Sequence, residues 1–133
     1  MTRTIVILNA LIFIIVVPYL EISTTHIFNT EWPSHARLHN VWQLLTNGAL
    51  SIGAVILVFR KKLSILPQLL SLAISGSFVI AYFLKSQYGG SMQHSDGSEL
   101  LVAGVNPAVV LLIVLSSLLV VDVLRSIQKF RQQ

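Results

Sequence analysis

The chain contains no cysteine. That excludes disulfide staples, thiolate metal centres and redox chemistry run through paired thiols. Charge is nearly as scarce: Asp, Glu, Lys and Arg form 11% of the 133 residues. An ordinary soluble domain carries about 25%. So little polar surface cannot cover a globule in water. Also missing are internal repeats, low-complexity segments and the apolar–polar alternation of a β-barrel.

What is there is apolar. Hydrophobic residues make up 54% of the chain, and the mean hydropathy is +0.78. Four stretches carry most of it: Thr4–Leu20, Val41–Phe59, Leu63–Leu84 and Leu100–Leu124. Each approaches or exceeds the about 20 residues a helix needs to cross a hydrocarbon core. A backbone in lipid must satisfy its own hydrogen bonds, so these stretches are expected to be helices. The expectation is an all-α, up-down bundle of four transmembrane helices in one domain, 1–133, with helices near 4–20, 35–59, 63–84 and 100–124. Pro18-Tyr19-Leu20-Glu21 offers no small-x-small cleavage site, so the first stretch reads as a retained helix.

The cations divide unequally. Arg3, the run Arg60-Lys61-Lys62, and Arg125, Lys129 and Arg131 fall on one side, leaving Arg37 and Lys85 on the other. The positive-inside rule then places both termini in the cytoplasm, of a bacterial inner membrane in this reading. The net charge of +4 is thus a topological signal, and the expected partner is the bilayer rather than nucleic acid. All four histidines (His26, His35, His39, His94) and four of the five acids gather on the outer side. His26 and His94 read there as solvated loop residues.

The densest polar stretch is "EWPSHARLHNVWQ" at 31–43. At the helical angle, His35, His39, Trp42, Gln43, Thr46 and Asn47 share an arc of about 140°, with Asn40 at its edge and Arg37 opposite. Polar residues in membrane helices usually face the bundle interior, so this arc is expected to point inward. Ser71, Ser75, Phe78, Tyr82 and Lys85 form a second stripe, and Pro107 is placed to open or kink the fourth helix beside Asn106. The serines read as helix–helix glue.

An imidazole facing a carboxylate suits proton transfer near neutral pH. The expected catalytic groups are His35 and His39 with Glu21 or Glu31, acting on a lipophilic small molecule. Trp42, Gln43, Asn47, Tyr82, Asn106 and Arg37 would hold that ligand; no cofactor and no resident metal are assigned. Two alternatives stay open. A His-x3-His pair can hold one zinc or copper ion from a single helix face, and the chain can instead be a non-catalytic small membrane subunit or regulator; a homo-oligomer is compatible with each reading.

"FNTEWPSHARLHNVWQ" resembles the signature "FNPEWPxHARxHxxxQ" of a family of small four-helix membrane proteins of unknown function. The resemblance rests on Phe28, Asn29, Glu31, Trp32, Pro33, His35, Ala36, Arg37, His39 and Gln43. It implies a fold and brings no activity. A looser likeness, of architecture alone, is to the EXPERA group of sterol isomerases and the sigma-2 receptor. That likeness implies a cavity for sterol-like amines bordered by acidic or histidine residues, with Glu21, His35 and His39 as candidates by position.

Overall fold

The computed structural model describes residues 2–60, 64–94 and 96–132. Its helices are α1 (Thr2–Glu21), α2 (Ser34–Val58), α3 (Leu66–Leu84, prolonged by a 3-10 turn at Lys85–Gln87) and α4 (Pro107–Arg131). All four are long and apolar enough to cross a membrane, and no strand forms among the described residues. Lys61, Lys62 and Leu63, part of the expected basic turn and the expected start of the third helix, lie outside the described residues.

α1 packs on α2, α3 and α4, and α3 packs on α1, α2 and α4, whereas α2 and α4 do not meet among the described residues. The cross-section is therefore a rhombus with α1 and α3 on its short diagonal. α2 touches only two helices, which leaves it a broad outward face. Thr2 and Arg131 lie at one end of the bundle; the histidines lie at the other.

Pro18 shapes α1. A proline inside a helix lacks the N–H for its i−4 carbonyl and its ring collides with that carbonyl. The chain answers with a π turn over Ile12–Val16, closed by the Val17 N–H donating to the Ile12 carbonyl. The wider turn takes up the proline without ending the helix, and it sets buried Phe13 against Ile74 and Leu112.

α4 starts seven residues later than the apolar run suggests. Asn106 caps it, its side-chain oxygen accepting from the N–H groups of Ala108 at 3.1 Å and Val109 at 3.4 Å. Pro107 is then a first-turn residue whose missing N–H would have had no partner anyway, so it opens the helix instead of kinking it. The preceding apolar residues form a small hairpin. Val102 and Val105 exchange backbone hydrogen bonds of 2.9 and 3.1 Å across Ala103 (φ 52) and Gly104 (φ 78). Positive φ at both central positions is the type I′ geometry that glycine suits. Gly104→Val should loosen the hairpin by about 1 kcal/mol or more, read as faster hydrogen exchange at the Val105 amide.

The interior mixes apolar and polar side chains. Ile5, Val6, Ala54 and Leu119 form one cluster and Phe13, Ile74 and Leu112 another. Between them Asn9, Ser51, Ser71, Ser75 and Ser116 are buried. Asn9 Nδ2 donates to the Ser71 carbonyl at 3.4 Å and Ser75 Oγ donates to the same carbonyl at 3.1 Å. Toward the terminal end, Asp122 Oδ2 accepts from Thr2 Oγ1 at 2.5 Å and from Gln68 Nε2 at 3.3 Å, joining α1, α3 and α4. Arg3 adds a contact with α2's C-terminal flank, its guanidinium 5.5 Å from the Phe59 ring centre.

Candidate functional site

The polar residues at the histidine end sort into two groups, one on the exposed flank of α2 and one on its inward side. The seam that α2 presents to the bundle runs through Ala36, Asn40, Leu44, Asn47, Ser51, Ala54 and Val58, all buried or half-buried. Its steps of three and four residues make one continuous helix face. Small side chains at Ser51 and Ala54 let the backbones approach closely, which decides helix packing in lipid more than polarity does.

That choice turns the predicted arc outward. His35, His39, Trp42, Gln43 and Thr46 are all exposed, and only Asn47 reaches the edge of the interior. The expectation of an inward arc is corrected: the angular grouping is as expected, but its centre lies about 100° round the helix from the seam, so Gln43 borders the seam and His35, His39, Trp42 and Thr46 turn outward. On that outer face His35 Nε2 and His39 Nε2 lie 3.0 Å apart, with ring planes at 86°. The Trp42 ring, 62% exposed, lies 5.8 Å from the His39 ring centre.

The second group caps the bundle. α1 ends at Glu21, and the connection that follows winds through tight turns, with Ile27 N–H donating to the Glu21 carbonyl and Phe28 N–H to the Ser23 carbonyl. Buried Asn29 organises this segment: its Oδ1 accepts from Glu31 N–H at 2.9 Å and its Nδ2 donates to the Thr25 carbonyl. The winding brings His26 Nε2 to 3.8 Å from Glu21 Oε1, while Asn40 Nδ2 donates to Glu21 Oε2 at 2.8 Å. The His26 ring meets Trp32 edge-on at 5.7 Å and His94 at 4.9 Å, so the two long connections touch.

Among the described residues, the acid–imidazole pair is thus Glu21 with His26, not Glu21 or Glu31 with His35 or His39. Glu31 is exposed in the turn before α2. Of the other sequence candidates, Tyr82 is half-buried under the Lys85 ammonium, 3.9 Å from its ring centre. Asn106 caps α4 and donates to Glu99 Oε1 at 3.2 Å. Arg37 is half-buried in the first turns of α2. No signal in the sequence joins His26 to His94, since loop residues 68 positions apart share no periodicity; Asn40 was marked only by its place at the arc's edge.

The bundle carries an open groove of about 530 Å³ between α3 and α4, lined by residues such as Leu72, Gly76, Ile80 and Val120. None of the sequence-predicted site residues lines it. Among the described residues, no group of three or more His, Asp or Glu side chains is placed to hold a metal ion.

One carboxylate at this end has a displaced titration. Asp96 takes hydrogen bonds from the Ser98 hydroxyl at 2.6 Å and the Ser98 N–H at 2.9 Å, which hold its carboxyl below the usual 3.8. A lowered folded pKa means that this turn is supported above pH 3.8 and loses support as pH falls through the lowered value. The Ser98 amide signal should therefore shift in an acid titration with a midpoint below 3.8, and Asp96→Asn should remove the transition.

Comparison with protein-family models, curated proteins and solved structures returns no match to this chain.

Proposed function

We propose that this protein is a membrane-embedded, non-catalytic assembly subunit that pairs with a second copy of itself through the outward polar face of α2. The bundle lies across a bacterial inner-membrane type of bilayer with both termini cytoplasmic, in keeping with Arg3, Arg60, Arg125, Lys129 and Arg131 at one end.

One observation carries the reading: His39, Gln43 and Thr46 are exposed on a helix that is otherwise suited to lipid. Gln43 and Thr46 lie roughly 3 and 8 Å past Val41, where the apolar run of α2 begins, in the outer part of a hydrocarbon core about 30 Å thick. A threonine hydroxyl can bond its own helix, but a glutamine amide facing acyl chains leaves donors and acceptors unpaired. A partner helix removes that cost, each interhelical hydrogen bond contributing about 0.6–2 kcal/mol.

The partner that fits is a second copy. Copies inserted with the same topology present the same residue at the same depth, and an amide both donates and accepts, so Gln43 complements itself across a two-fold axis. Two differently labelled copies reconstituted in vesicles should show energy transfer that survives dilution with lipid. Gln43→Leu combined with Thr46→Leu should cut the associated fraction about fivefold or more. Unchanged transfer in that variant would contradict the proposal.

A second reading rests on the Glu21–His26 pair. A lipophilic molecule reaching the histidine end meets a carboxylate steadied by Asn40 beside an imidazole, which is the equipment of acid/base isomerisation. In that case Glu21→Gln removes turnover of the molecule and leaves self-association intact.

A further inference from the structure

The two exposed imidazoles of α2 converge on one point. His35 and His39 are one helical turn apart, and their Nε2 atoms face each other at 3.0 Å. Zinc bound by two imidazoles at 2.0–2.1 Å with a tetrahedral angle places the nitrogens about 3.3 Å apart. The pair therefore needs to open by only about 0.3 Å, a small rotation for two solvent-facing rings. In the free chain the same closeness is an N–H···N hydrogen bond between the rings. On metal binding, that proton moves to the Nδ1 of its own ring and both Nε2 lone pairs face the ion, so the exchange releases no proton from two neutral imidazoles.

The chain does not finish the site alone. It has no cysteine, and among the described residues no third His, Asp or Glu joins the pair in a metal-binding group. Zinc held structurally takes four protein ligands. A two-fold axis along the membrane normal, running past the outward face of α2, supplies the other two, because it sets the same two histidines of a second copy at the same depth. The exposed stripe continues directly below through Gln43 and Thr46, where that second copy already has reason to sit.

We infer that His35 and His39 form half of a four-histidine site for a divalent transition ion of the zinc type, completed by a second copy of this chain. The inference rests on the self-pairing of α2 proposed above and gives that contact a metal staple at the histidine end. Imidazole ligands accept zinc, copper and nickel alike; zinc is favoured because the face can close to a tetrahedron.

The test uses the full-length protein in detergent micelles, stripped with a chelator and titrated with zinc chloride alone. Bound metal is counted by elemental mass spectrometry, and particle mass is measured by light scattering. The expected result is one zinc per two chains and a dimer fraction that rises with zinc. His35→Ala and His39→Ala should each weaken binding by about tenfold or more, whereas His94→Ala should bind as wild type does. Both altered side chains are exposed, so helicity and the thermal midpoint should stay at wild-type values. Zinc bound to single chains at one ion each would overturn the two-copy site. So would retention of the ion after His39→Ala. A dimer that forms equally with and without zinc, binding none, would overturn the metal inference and leave the pairing of α2 standing. Loss of association in Gln43→Leu with Thr46→Leu, under saturating zinc, would instead show that the amide face carries the contact without the metal.

Discussion

Gln68→Leu should destabilise the bundle by about 2–3 kcal/mol, and by more than Asp122→Leu does. Asp122 is 5% exposed on α4, and its Oδ2 accepts from Gln68 Nε2 and Thr2 Oγ1. Removing Gln68 withdraws one donor from a buried carboxylate and leaves Thr2 Oγ1 still bonded to it; a hydrogen bond lost to such a group costs more than one lost between neutral partners. Replacing the carboxylate by leucine removes the group that needed solvating. Gln68 Nε2 then keeps its 3.2 Å contact with Ser126 Oγ. Exchange of a buried charge for an apolar side chain is often close to neutral. Thermal unfolding in micelles, followed by circular dichroism, ranks the two. Asp122→Leu proving the more damaging would show that the charge itself holds α1, α3 and α4 together.

Ala54→Leu should cost about 2–3 kcal/mol and weaken self-association as well. Ala54 is 0% exposed, in the core cluster with Ile5, Val6 and Leu119. It sits on the α2 seam where a methyl group is all that the close approach admits. A leucine there pushes α2 away from its neighbours, and because the helix moves as a rod, the polar face on its far side is re-aimed. Ile56, two residues on and exposed, is the control: Ile56→Ala should stay within about 0.5 kcal/mol of wild type. Equal effects at the two positions would mean that the seam is not where the burial pattern puts it.

The four helices were legible because a membrane-length apolar run leaves the backbone no other choice. Which face of α2 turned inward was not. Polarity suggested the histidine arc, whereas Ser51 and Ala54 decided the packing by their size. The start of α4 was written in the sequence as Asn106-Pro107, a capping residue followed by a first-turn proline, and the apolar run before it concealed the signal. The π turn over Ile12–Val16 has its local signal in Pro18, whereas the meeting of His26 with His94 has none, since it depends on how two distant connections close on one another. The members of the motif at 28–43 divide in the fold: Asn29 folds the connection, Trp32 packs on His26, and His35, His39 and Gln43 are exposed.

The absence of native cysteine makes one measurement decisive. Single cysteines placed in turn from Leu38 to Asn47, in membranes exposed to a mild oxidant, report which side of α2 meets a second copy. The pairing proposed here predicts disulfide-linked dimers that peak at His39→Cys, Gln43→Cys and Thr46→Cys and fall away at Asn40→Cys and Leu44→Cys on the inward seam. Dimers that peak at Asn40 and Leu44, or no α2 dimers at any position while an exposed α4 site such as Leu111→Cys cross-links, would contradict it.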